Sequence, residues 1–265
     1  MNLDGPIYGI PAHIENWATV LAALGAVGSL VFCVRHAVVH RSPLPLYLFA
    51  GGALTCFIEP FIDTLGHAIF AQEDRISWTS SFGRHIPAYI GLTLMFYVAP
   101  AYVWLLTTIE KGVTRREWGT LCAVLVTTTF VFEFVPLHYD LWQYYGPQGL
   151  QVGEAPLWWG FTNAHGLIGT AVLLHLLLKV IPRDRLVVLV PLMPALFLGV
   201  HTAGSTFGYL GLNSTTSKTA AYAGTVATCL LCSVFFWLYS KVVCRPVAEE
   251  TAAAPARSSV LTQAP

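Results

Sequence analysis

Phe57-Ile58-Glu59-Pro60-Phe61-Ile62-Asp63-Thr64-Leu65-Gly66-His67 closes an apolar run of membrane-span length and sets two carboxyl groups where lipid contact would be expected. A helix continued through this stretch would bring Glu59, Asp63 and His67, at i, i+4 and i+8, onto one face. Pro60 has no N–H to offer the carbonyl of Cys56, so a kink or a freed carbonyl is expected beside Glu59. A carboxylate near the centre of a bilayer costs about 2.5–3.5 kcal/mol on insertion scales, so these side chains must face protein or a wet cavity. That makes the stretch a candidate functional site. The structural alternative is an ion pair with Arg84 or a hydrogen-bonded helix anchor.

Outward from this stretch the chain reads as membrane protein throughout. Its 265 residues are 55% hydrophobic and 11% charged, with a mean hydropathy of +0.62, a balance foreign to soluble domains of this size. The formal net charge is zero and no Lys/Arg-rich run occurs, which removes the electrostatic case for nucleic acid as a partner. No basic segment precedes the first apolar run, so it reads as a retained helix and not as a cleaved signal. Five of the six cysteines fall inside apolar runs and Cys244 lies beside the last, so they do not form a disulfide framework. Cys229-x-x-Cys232, mid-helix, reads as packing.

Runs of about 20 apolar residues occur at 17–34, 44–62, 86–109, 118–136, 157–181, 186–208 and 219–243. The expected fold class is therefore all-α, a polytopic bundle of seven transmembrane helices over 1–245. Residues 246–265, rich in Ala, Pro, Ser and Thr, read as a disordered tail. Arg35, Arg41, Lys111, Arg115, Arg116, Lys179, Arg183, Arg185, Lys241, Arg245 and Arg257 occupy alternate connections and make up 11 of the 14 Lys and Arg. The positive-inside rule then puts the N-terminus outside and the C-terminus in the cytoplasm.

With that direction, the polar residues within spans gather in the outer half. Glu59 and Asp63 end the second span, Glu133 and then His138 and Asp140 end the fourth, and His201 lies towards the outer end of the sixth. Arg84 and His85 precede the third, and Trp158, Trp159, Asn163 and His165 open the fifth. The connection from Leu137 to Pro156 carries Tyr139, Trp142, Tyr144 and Tyr145 and no Lys or Arg. It reads either as a cap over an outer pocket or as an interfacial aromatic belt. The expected catalytic groups are Glu59, Asp63, Glu133 and His201; the expected substrate contacts are His67, Arg84, Asp140, Trp158, Asn163 and His165. Asp140 has a plain alternative as a solvated carboxylate, Asn163 and the histidines as interhelical hydrogen bonds.

A carboxylic acid in a poorly hydrated aromatic pocket holds its proton more tightly than in water, so one member of a pair serves as general acid while its neighbour stays ionised as base. Acid-initiated cyclisation, dehydration or isomerisation of a lipid-like substrate needs that pairing, with aromatic faces to stabilise a developing cation. The segments Phe57–His67, Gly83-Arg84-His85-Ile86-Pro87, Tyr144-Tyr145-Gly146-Pro147-Gln148 and Pro156-Leu157-Trp158-Trp159-Gly160-Phe161-Thr162-Asn163 resemble those of the bacterial spirocyclase AveC-like membrane proteins. The resemblance covers about residues 45–210. It implies a cyclase or dehydratase acting on an oxygenated hydrophobic molecule, polyketide- or isoprenoid-like, in a bacterial cytoplasmic membrane. It transfers no catalytic residues, and it implies neither cofactor nor metal.

Two rivals share the same features. A membrane-integrated terpene cyclase would use the same intramembrane acids on a different substrate, and a proton-coupled carrier would use Glu59, Asp63 and Glu133 as a relay. A carrier calls for polar groups on both sides of the midplane, and this sequence concentrates them on one. A seven-span metal hydrolase would want a His-x-x-x-His pair on a late helix, and the last span has no histidine. A rhodopsin-like pigment would need a lysine within that span, and Lys218 stands only at its mouth. The expected partners are a lipid-like substrate and membrane lipid, with the oligomeric state open.

Overall fold

The computed structural model describes residues 5–73, 76–214 and 217–245, so the tail expected over 246–265 lies outside the described residues. Eight α-helices account for most of the fold: α1 (Ala12–His40), α2 (Leu44–Thr55), α3 (Glu59–Gly66), α4 (Ala88–Glu110), α5 (Arg115–His138), α6 (Leu157–Leu177), α7 (Leu189–Asn213) and α8 (Lys218–Val243). Most start where sequence chemistry says they should. Pro11, Pro43, Pro87 and Pro156 stand at the N-caps of α1, α2, α4 and α6, Thr114 and Glu117 form a capping box for α5, and Ser217 caps α8.

Among the described residues, α1, α4, α5, α6, α8 and the stretch Arg183–Asn213 that contains α7 are each long and apolar enough to cross a membrane. The molecule is a multi-pass helical membrane protein. The helices α2 and α3 reach span length only together, and the pair is bent by 50°. Pro60 is the cause. The Cys56 carbonyl loses its i+4 donor, the chain tightens through Phe57 N–H to Leu54 O and Ile58 N–H to Thr55 O, and α3 restarts with Pro60 in its first turn. Glu59 and Asp63 do share a face of α3. His67 does not continue it, because it caps the helix in the left-handed conformation with φ 55°.

The all-α expectation needs a correction outside the spans. Three two-stranded antiparallel pairs lie in the connections: β1 (Ala68–Phe70) with β4 (Trp142–Tyr144), β2 (Ser77–Ser81) with β3 (Arg84–Pro87), and β5 (Gln151–Val152) with β6 (Ala155–Pro156). The first joins two connections distant in sequence, in the register Ala68–Tyr144, Ile69–Gln143, Phe70–Trp142. It lies across one end of the bundle as a lid. The N-terminal residues strap it from outside, Tyr8 donating its hydroxyl to Ile69 O and accepting Gln72 N–H on its carbonyl.

Helix α6 is the central pillar and packs against α4, α5, α7 and α8. The buried share of its most apolar window is 67%, against 22% for α1, which lies at the periphery against α4 and α2. At the end away from the lid, Leu48, Leu105, Leu174, Leu189 and Met193 close the bundle with no accessible surface.

Candidate functional site

Below the lid is a cavity of about 360 Å³, within the range of roughly 300–1,000 Å³ typical of small-molecule sites. Helical periodicity explains its walls. From α6 come Trp159, Asn163 and Leu167, at i, i+4 and i+8, and from α4 come Ile90, Thr93, Tyr97 and Ala101. At 1.5 Å per residue, Ile90 to Ala101 makes the wall about 16 Å deep. The lid supplies Phe70, Trp142 and Tyr144; α3 supplies Glu59 and Asp63, and α5 supplies Glu133.

The carboxyl groups in this cavity have opposite surroundings. Glu133 is buried and held by donors on both oxygens. The Trp142 indole N–H and the Tyr144 hydroxyl donate to Oε2 at 2.9 and 2.6 Å, and the Asn163 amide donates to Oε1 at 3.2 Å. Glu59 and Asp63 receive no side-chain or backbone donor among the described residues, and Asp63 Oδ2 is buried without a partner. Tyr97, half-buried, lines the same space. A buried polar atom left unsatisfied costs about 1–3 kcal/mol, so these groups mark the place where a ligand's polar end would be welcome.

Behind Glu133 the network continues into α7. The Asn163 amide nitrogen points to Glu133, so its Oδ1 is an acceptor and His201 Nε2 must carry the proton at 3.3 Å. His201 Nδ1 then accepts from the Tyr209 hydroxyl at 3.2 Å. His201 was expected to touch substrate. It stands one hydrogen bond behind the wall instead, on Asn163.

Other expected contacts are displaced for identifiable reasons. Trp158 precedes the wall residue Trp159 by about 100° of helix, so it turns away to donate to Gln148 Oε1 and to pack on Tyr209. His165 follows Asn163 by about 200° and faces α8, its Nε2 3.0 Å from the Tyr239 hydroxyl and its ring stacked on Phe235. Asp140 is exposed with φ 53° and accepts from Gln143, the solvated alternative. Arg84 serves the lid: it donates to Ala68 O at 2.8 Å and to the Tyr145 hydroxyl at 2.7 Å. His67 lies at the hinge between α3 and β1, its Nε2 3.4 Å from Asn213 Oδ1 and its ring stacked on Tyr145 at 5.0 Å.

The lid fits closely. Gly66, at the end of α3, lies so near the Trp159 ring that any Cβ would collide with it. Tyr144 ties the lid to Glu133, and burial together with the nearby Glu133 charge pushes its phenol well above the usual range. That hydroxyl keeps its proton and donates it to Glu133. Sequence reasoning missed Tyr97 and Thr93 and preferred Trp158 to Trp159, although the i, i+4 spacing of Trp159 with Asn163 was available. Among the described residues no group of three or more His, Cys, Asp or Glu is arranged to hold a metal ion.

No protein-family model matches the chain, and neither curated proteins nor solved structures include a significant match.

Proposed function

We propose that the protein is a membrane-embedded cyclase or dehydratase that removes water from an oxygenated hydrophobic substrate by carboxyl acid–base catalysis. The observation that carries this reading is the contrast between Glu133, an acceptor held by donors on both oxygens, and Glu59 and Asp63, which face the same cavity without a hydrogen-bond donor among the described residues. Glu59 or Asp63 donates a proton to a hydroxyl oxygen of the substrate, the hemiketal hydroxyl where a spiroketal is the product. A second hydroxyl of the same molecule attacks the activated carbon and gives its proton to a carboxylate of the site, and the first oxygen leaves as water. Protons balance, no redox partner is required, and the product is the substrate less one water. Trp159, Trp142 and Tyr144 present aromatic faces to the developing cation. The resemblance to spirocyclase AveC-like proteins favours a spiroketal-type closure; an isoprenoid substrate would make the same site a terpene cyclase.

In this reading the bent α2–α3 pair counts as a seventh span. The N-terminus is outside, the C-terminus is cytoplasmic, and the lid faces outward, as the alternation of Lys and Arg in the connections argues. The membrane is the bacterial cytoplasmic membrane.

The test is the hydrophobic molecule that co-purifies with each variant, identified by mass spectrometry. Glu59→Gln and Asp63→Asn should fold as well as the wild type, because neutralising a carboxyl group that accepts no hydrogen bond removes a desolvation cost. They should retain a compound heavier by one water than the compound recovered from the wild type. The same mass in all three proteins would sink the dehydrating reading.

One feature favours a carrier instead: the helix pair is broken beside its acids, as in many transporters. A carrier must open to both faces. Cysteines placed at Phe61 and Phe134 in a Cys-free background should react with a membrane-impermeant thiol reagent from the lid side only if the protein is an enzyme, and from both sides if it alternates.

A further inference from the structure

The cavity is closed at the lid and at the Leu48–Met193 plug, but it is not closed at its side. Helix α4 packs on α1, α2 and α6, and α5 packs on α6, while the consecutive helices α4 and α5 scarcely touch. Both nevertheless line the cavity, α4 through Thr93, Phe96 and Tyr97 and α5 through Leu125, Thr128 and Phe132. Phe96 is 45% exposed and Phe132 49% exposed, and Thr128 is exposed as well, although all three are also cavity wall. A residue that is both wall and outer surface marks an opening. This one lies between two helices of span length, so what fills it is the bilayer.

We propose that the cavity receives its occupant sideways from the membrane, through the gap between α4 and α5, and that the occupant is a single-chain amphiphile. Its oxygenated end reaches Glu59, Asp63 and Tyr97, and its alkyl or isoprenoid chain lies in the gap between Thr93 and Phe96 on one side and Thr128 and Phe132 on the other. This rests on the proposed chemistry only for the role of the acids, since the route is set by the walls. The cavity volume of about 360 Å³ suits a polar end and the first part of one chain, near the low end of the range for ligand sites. A two-chain phospholipid head would not fit beside the lid. The polarity gradient runs the same way: unpartnered acids lie under the lid, threonines whose hydroxyls bond within the protein line the middle, as Thr93 does to Tyr89 O, and phenylalanines stand at the mouth. An amphiphile moving in from lipid would meet apolar surface first and its hydrogen-bond partners last.

The experiment uses the full chain in phosphatidylcholine vesicles containing a trace of hexadecanol that carries a diazirine next to its hydroxyl end. After illumination, adducts are mapped by peptide mass spectrometry. They should concentrate on Tyr97 and its cavity neighbours. Thr128→Trp, which fills the mouth, should lower cavity labelling about tenfold, equivalent to about 1.4 kcal/mol of lost occupancy, and leave labelling of the outer faces of α1 and α8 unchanged. Phe132→Ala, a truncation at a half-exposed position that the fold should tolerate, should raise cavity labelling. Adducts spread evenly over lipid-facing positions, indifferent to both variants, would overturn the proposal. So would cavity labelling by a water-soluble diazirine that matched or exceeded labelling by the alcohol, because the lid would then be the route. Labelling requires no turnover, so the two ideas separate: Glu59→Gln and Asp63→Asn that both stay labelled at Tyr97 but both make wild-type product break the acid chemistry and keep the route, whereas variants that lose the product in a protein whose cavity is not labelled break the route alone.

Discussion

The lidded half of the bundle and the half beyond it follow opposite rules. Under the lid, Glu59, Asp63, Glu133, Asn163 and Tyr97 share one cavity, and several of their polar atoms have no protein partner. Beyond it, Leu48, Leu105, Leu174, Leu189 and Met193 meet with no accessible surface and no charged side chain among them. In a bilayer, where an unmet polar group is expensive everywhere, Glu133, Asn163 and His201 are tied into hydrogen bonds between α5, α6 and α7, whereas Glu59 and Asp63 accept none among the described residues and so add nothing to helix association. The apolar half carries the packing, which leaves the other half free to keep a space open.

That contrast breaks most decisively if a charge is tolerated equally in both halves. Leu105→Asp puts an acid into the dry plug and should destabilise the protein by about 3 kcal/mol or more, enough to remove most folded material. Thr93→Asp puts the same group on the wall of an open cavity, with room to turn towards the polar groups under the lid, and should cost less. Monodisperse yield and thermal unfolding in detergent measure both, and equal losses would deny the contrast between the two halves.

A smaller effect sharpens the picture within the polar half. Asn163→Leu removes the link between Glu133 and His201, leaving Glu133 Oε1 and the His201 N–H unpaired, at about 1–3 kcal/mol for each orphaned group. His201→Leu in that background should then cost less than it does in the wild type, because the histidine's partner has already gone. Strictly additive losses would mean that His201 does not act through Asn163.

How much of this was legible depended on whether the information was local. The helix starts were, because Pro11, Pro43, Pro87 and Pro156 and the Thr114–Glu117 box act within a single turn. The break before Glu59 was announced by Pro60. Glu59, Asp63, Glu133 and Asn163 were found because an acid or amide within an apolar run is conspicuous, and the aromatic connection after Leu137 does cover the pocket through Trp142 and Tyr144. The β1–β4 pairing was out of reach: strands of three residues have no measurable period, and their partners lie on different connections. The lid contacts of Arg84 were out of reach for the same reason, since Ala68 and Tyr145 come to it only after that pairing forms. His165 and Trp158 were a different failure, one of helical phase. Counting 100° per residue from Asn163 would have turned both away from the wall.

The smallest expected effect concerns the hinge of the lid. Asn213 donates its amide to Leu65 O and Tyr209 O, so its Oδ1 accepts from His67 Nε2–H, and His67 Nδ1 is buried without a partner. A second proton on His67 would find no acceptor. Burial pushes this imidazole below its ordinary value, the Asn213 contact opposes that in part, and the charge of Arg84 pushes in the same direction as burial. The unfolded chain, with an ordinary histidine near 6.5, therefore takes up a proton that the folded chain resists. Stability from this group is complete above about pH 6.5 and declines as the pH falls below it, because the unfolded state then binds more protons. His67→Asn keeps a residue that tolerates the left-handed backbone at φ 55° and removes the titration. The variant should be less stable at every pH, having lost the stack on Tyr145, but its unfolding temperature should fall less between neutral and mildly acidic pH than that of the wild type. Parallel pH profiles for the two proteins would show that protonation of His67 is not linked to folding.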